Sequence, residues 1–155
     1  MVSFENNIDE SINEKVIALQ NEFAKNSFDG FIETVPAYAS LAVFYDPTRI
    51  KAQADVTITA FDLVKTFTKK LIDGIKSLNT LPKRPTIIIP VCYNGEDLEN
   101  VALQHHLPVE ELISIHTAKA YRVFMIGFLP GFAYMGKLDE RIATPRHLSP
   151  RPTFK

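Results

Sequence analysis

Apolar residues first recur at helical spacing at Ile12, Val16, Leu19 and Phe23, which predicts a helix over residues 9 to 26, with "SINE" at Ser11 to Glu14 matching a capping box. "NSFDG" stops it. Two short runs rich in Val, Phe and Tyr follow, "FIETVP" and "ASLAVFYDP", separated by Pro36-Ala37-Tyr38 and closed by an Asp46-Pro47 turn. They read as a hairpin or as consecutive sheet strands. A longer helix is predicted from about Thr57 or Thr59 to Leu78, where Phe61, Val64, Leu71, Ile75 and Leu78 make an apolar stripe. Lys65, Lys69, Lys70 and Lys76 sit mainly off that stripe as a solvated face.

"TLPKRP" breaks this helix, and the mostly apolar "TIIIPVCY" reads as a strand ended by the Asn94-Gly95 turn. From Glu96 onward, "EDLENVALQHH" and "VEELISIHTA" suit two short helices around Leu107-Pro108. The last predicted strand is "AYRVFMIGF", where Tyr121, Val123 and Met125 alternate with Arg122, Phe124 and Ile126. Helix, two strands, helix, strand, two short helices, strand and loop together predict an α+β two-layer sandwich: a mainly antiparallel sheet with helices packed on one face.

At 155 residues, 46% hydrophobic, the chain fits one globular domain with an ordinary core, or one domain plus a tail. A net charge of −1 gives no global attraction to nucleic acid or to an anionic membrane. Two short helices around a break have the outline of a helix-turn-helix, yet Glu96, Asp97, Glu99, Glu110 and Glu111 lie on them without any lysine or arginine. Such a face repels phosphate. The opening "MVSFENNIDE" lacks the basic and apolar regions of a signal peptide, and a cytoplasmic location is expected. Cys92, the single cysteine, reads as a small buried hydrophobe. His105, His106 and His116 complete no recognisable ligand spacing, so no metal is expected. His116 ends the apolar stripe of Val109, Leu112 and Ile113, where it suits either helix capping or proton transfer. Neither a "GxxxxGK[ST]" phosphate cradle nor a "GxSxG" elbow is present.

The stretch "GFLPGFAYMGKLDERIATPRHLSPRP", residues 127 to 152, holds four of the ten prolines, three of the six glycines and three arginines. Pro130-Gly131 suits the central positions of a type II turn, since proline fixes φ and glycine accepts the positive φ that follows. Phe128 and Phe132 flank that turn, with Tyr134 beyond. Two Pro-Arg pairs, Pro145-Arg146 and Pro150-Arg151, hold each arginine on extended backbone, a display suited to carboxylate or phosphate.

"ETVPAYASLAVFYDP", "IPVCYNGEDLENVA", "ELISIHTAKAYRV" and above all "GFLPGFAYMGKLDERIATPRHLSPR" resemble the family that includes the B subunit of 5-oxoprolinase, allophanate hydrolase subunit 1 and an inhibitor of sporulation histidine kinase. The likeness runs from about Phe4 to Arg151. It implies an α+β amino-terminal domain, residues 1 to 145, followed from residue 146 by a linker toward a cyclophilin-like β-barrel domain that is not part of this sequence. It further implies a subunit of an ATP-dependent 5-oxoprolinase, turning 5-oxo-L-proline, ATP and water into L-glutamate at a site shared with a partner subunit. The partner expected is of the type of the 5-oxoprolinase C subunit or allophanate hydrolase subunit 2, and the isolated domain is expected to be inactive. The same resemblance allows a histidine-kinase inhibitor or a subunit of an allophanate hydrolase or urea carboxylase. Carried over position by position, the family motif points to His116 and Asp97 as catalytic, and to Tyr93, Phe128, Pro130, Gly131, Tyr134, Arg146 and Arg151 as substrate-binding. Here the family's "YGGExGPDL"-like stretch is the shorter "YNGEDL".

Overall fold

Helix α1 spans Glu10–Lys25 and starts at Asp9, whose carboxylate accepts the backbone N–H of Ser11 at 2.8 Å and of Ile12 at 3.3 Å. The capping box expected at Ser11 does not form; the cap lies two residues earlier, because an aspartate on extended backbone already satisfies those donors. In the computed structural model the described residues are 1–51, 57–75 and 85–149. They fall into two units, Met1–Arg84 with Val123–Met135, and Pro85–Arg122 with Gly136–Lys155.

In the first unit, strands β1 (Val2–Ser3), β2 (Phe31–Pro36) and β3 (Ser40–Tyr45) form an antiparallel sheet in the order β1-β3-β2. The register explains the pattern of apolar residues. Phe31 pairs with Tyr45, but Glu33 pairs with Phe44, so Ile32 is an extra residue in a bulge. A strand without that bulge would turn Phe31 and Glu33 to the same face; with it, Phe31 joins the core and Glu33 stays out. The Asp46-Pro47 turn opens into a short helix, α2 (Pro47–Lys51), followed by α3 (Ala60–Gly74), which is capped by Thr59. Leu78, expected at the end of this helix, lies outside the described residues. Phe61 is not on the buried stripe but 60% exposed; Val64, Phe67, Leu71 and Ile72 face the core instead.

Val16, Leu19 and Phe23 of α1 and Leu41 of β3 are fully buried, with Phe31, Val43, Phe67 and Leu71 packed around them. Helices α1 and α3 therefore cover the sheet face that carries Leu41 and Val43, while Phe44 on the other face is 49% exposed. This is the expected α+β layering. Strands β4 (Val123–Ile126) and β5 (Ala133–Met135) form a separate antiparallel hairpin in the same unit, bulged at Phe124, whose ring packs 5.3 Å from that of Tyr38. Asn13, fully buried, donates to the carbonyls of Ala37, Tyr38 and Phe124 at 3.2–3.3 Å, tying α1 to the β2–β3 bend and to β4.

In the second unit, α4 (Leu98–Gln104) and α5 (Val109–Thr117) are the two short helices expected there. Helix α4 ends in a Schellman turn: His106 has φ of 55° and donates its N–H to Leu103 O, and Leu107 N–H reaches Ala102 O. Ala102, Leu112, Ile115 and Ile142 form a small core, the last from a 3-10 turn at Glu140–Ile142. The strand expected over "TIIIPVCY" is absent among the described residues. Residues 86–93 carry no ladder, and Ile87, Ile88 and Ile89 are 77%, 91% and 73% exposed. Apolarity alone does not make a strand; a paired neighbour does, and Pro90 withholds one donor. Cys92 is accordingly exposed rather than buried. No helix among the described residues is long and apolar enough to cross a membrane.

Candidate active site

Helix α5 begins after Pro108, buries Leu112 and Ile115, and brings His116 to its final turn. There Nδ1 of His116 shares a hydrogen bond of 2.6 Å with the hydroxyl of Tyr93. Tyr121 secures the same histidine from the other side, donating its hydroxyl to the His116 carbonyl at 2.8 Å and laying its ring 5.5 Å from the imidazole. Burial pushes the Tyr121 hydroxyl above its usual range, with Tyr93 and Asp139 nearby adding to the effect. The ammonium of Lys119 stands 5.3 Å above the Tyr121 ring and donates to Lys137 O at 2.8 Å.

Tyr93 lines an open cavity of about 280 Å³ together with Glu96 and Asp97, over an apolar floor of Leu98, Val101 and Leu112. Asp97 occupies the cap position of α4 without capping it through its side chain. Its Oδ2 instead accepts from Nε2 of His147 at 3.0 Å. That bond fastens the segment carrying Arg146, which is exposed and has no ion-pair partner among the described residues. Arg141 differs. Its guanidinium grips both carboxylate oxygens of Asp139 at 3.0 Å and holds that carboxyl down at about 2. Arg151 lies outside the described residues.

The other expected residues belong to the first unit, in the loop between β4 and β5. The bond from Phe132 N–H to Leu129 O (3.0 Å) closes a turn with Pro130 and Gly131 at its centre, and Gly131 has φ of 80°, as a type II turn requires. Just before it, Leu129 N–H reaches Gly127 O at 2.8 Å and puts Phe128 at φ of 63° in a γ-turn, a strained conformation for a bulky residue. Gly127 N–H to Phe132 O closes the base of the loop. Phe128, Phe132 and Tyr134 stack edge to face at 5.7 and 5.0 Å, and Tyr134 continues to Tyr38 at 6.3 Å. Phe128 is 82% exposed, so the ladder runs from solvent inward.

The structure thus brings Tyr93 to His116 and places Asp97 on the same cavity, and it gathers Phe128, Pro130, Gly131 and Tyr134 in one loop. Sequence reading missed Tyr121 and His147 as members of the site. The only local trace of Tyr121 is its position five residues after His116; His147 adjoins the arginine already singled out.

The fold and these motifs define a class: the chain belongs to the family described as carboxyltransferase domain, subdomain C and D, whose model matches residues 1–155. Among characterised proteins, it is 40% identical over 158 residues to the 5-oxoprolinase B subunit of Bacillus subtilis (strain 168), covering 99% of this chain and 65% of that protein. With the 5-oxoprolinase B subunit of Haemophilus influenzae it shares 47% identity over 68 residues, 42% of this chain and 32% of that one. A crystal structure of TTHA0988 superposes on 97% of the chain with a TM-score of 0.75 at 29% identity, using 27% of that larger chain. The chain spans just under two-thirds of the length of the Bacillus relative.

Proposed function

We infer that this chain acts as part of an ATP-dependent 5-oxoprolinase, in the role of its B subunit, and contributes side chains to a site completed by a partner of the C-subunit type. The observation that carries this reading is the 40% identity to a 5-oxoprolinase B subunit, sustained over 99% of the chain. The geometry agrees with a chain that supplies polar side chains to a shared site. Tyr93 and Asp97 offer hydrogen-bonding groups at one cavity with His116 bonded to Tyr93, the Pro130-Gly131 turn holds a stiff aromatic edge, and Arg146 is available to an anion.

ATP and 5-oxoproline are both anionic, and the two carboxylates on the Tyr93 cavity do not suit a triphosphate. Arg146 does suit one, as it suits the carboxylate of the lactam. Phosphate chemistry is therefore assigned to the assembled enzyme, with the cavity left to the uncharged amide of the substrate.

The test is reconstitution of the full-length subunit with its candidate partner and measurement of ATP-dependent glutamate release. Arg146→Ala and Arg151→Ala are each expected to lower turnover by about tenfold or more, about 1.4 kcal/mol or more in barrier, with unchanged melting of the subunit. Absence of turnover on 5-oxoproline, combined with tight binding to a histidine-kinase dimerisation domain, overturns the reading.

A further inference from the structure

The imidazole of His116 is held on three sides: Nδ1 by the Tyr93 hydroxyl, the backbone carbonyl by the Tyr121 hydroxyl, and the ring by the Tyr121 face. Tyr93 is among the residues lining the cavity of about 280 Å³, and His116 is not. The pair therefore reaches the cavity through Tyr93 and not through His116. The 2.6 Å separation is that of a short hydrogen bond, along which a proton moves with little displacement of heavy atoms.

We propose that Tyr93 is the catalytic residue of this cavity and passes protons between a bound amide and His116, which serves as its positioning residue. This reverses the roles that the family motif suggested for the two side chains. In the forward direction, the substrate's X–H bond breaks and its proton goes to Tyr93 Oη, while the hydroxyl proton moves to Nδ1 of His116. The products are an intact phenol, an imidazolium and a negative charge on the substrate atom. Run backward, the same relay returns a proton to a departing ring nitrogen. The relay requires Nδ1 to be the acceptor in the resting chain, with the imidazole proton on Nε2. The choice of a lactam as the amide rests on the function proposed above; the pairing itself does not.

Nitrogen-15 NMR of histidine-labelled full chain reads the pair directly. His116 is expected to be protonated on Nε2, with an Nδ1 resonance that moves when Tyr93→Phe removes its donor. A proton on Nδ1, or a ring spectrum indifferent to Tyr93→Phe, overturns the proposal. In the assembled enzyme, Tyr93→Phe is expected to cut kcat by about a hundredfold with KM within about twofold. His116→Asn keeps an acceptor near the Nδ1 position but takes up no proton, and the same loss is expected; recovery of kcat in that variant, or a rise in KM alone for Tyr93→Phe, overturns the relay. If the unaltered assembly fails to turn over 5-oxoproline, the substrate assignment falls, and the NMR result still decides the pair.

Discussion

The two units are held together by different means. In the first, Phe23, Phe28, Phe31 and Phe67 meet ring to ring with centroids 5.2–6.5 Å apart, above a sheet that buries Leu41 completely. In the second, the buried apolar side chains among the described residues are Ala102, Leu112, Ile115 and Ile142, and around them lie the part-buried bond of Tyr93 with His116 and the exposed bonds of Asp97 with His147, Arg141 with Asp139 and His105 with Thr144. Burial of aromatic area is insensitive to small shifts, whereas a hydrogen bond lost from a thin core also moves the group that made it. The Tyr93–His116 bond beside this small core is therefore expected to matter to the packing of the second unit as well as to the proposed relay.

The largest effect that tests this contrast is truncation in the aromatic core. Phe23→Ala is expected to cost about 4 kcal/mol, against about 2 kcal/mol for Leu112→Ala, both measured by denaturant unfolding. Equal losses would show the two cores to be alike. Asn13→Ala sharpens the comparison from within the first unit, because it strands three carbonyls that the buried amide now serves. A loss of about 2 kcal/mol is expected, and faster amide exchange at the β2–β3 bend. A change below about 0.5 kcal/mol would make the amide dispensable. The smallest effect has the opposite sign. Glycine accepts the positive φ that His106 must adopt, so His106→Gly is expected to stabilise the second unit by up to about 1 kcal/mol, read as a rise in Tm.

Helix α1 and strands β2 and β3 were legible in the sequence because their signals are local: a stripe at Ile12, Val16, Leu19 and Phe23, and two short runs rich in β-formers around a proline. The Pro130-Gly131 turn was legible for the same reason, since both residues set their own φ. Strands β1 and β5, of two and three residues, are defined by their partners and leave no periodicity. The run at residues 86–93 shows the reverse case, a strong local signal without a described partner. At the site, Tyr93 and His116 were each singled out, but their bond joins residues 23 apart and is a product of the fold. Tyr121 and His147 were missed because a hydroxyl on a carbonyl, or an imidazole on a distant carboxylate, follows no spacing rule.

That uncharged run has a practical consequence. Ile87, Ile88, Ile89 and Val91 present apolar side chains in close succession, with no charge from Pro85 to Gly95 to keep neighbouring molecules apart. Three exposed β-branched isoleucines in a row are a template on which another chain can pair, and Pro90 limits its length, so Ile88→Lys is expected to lower self-association at high concentration.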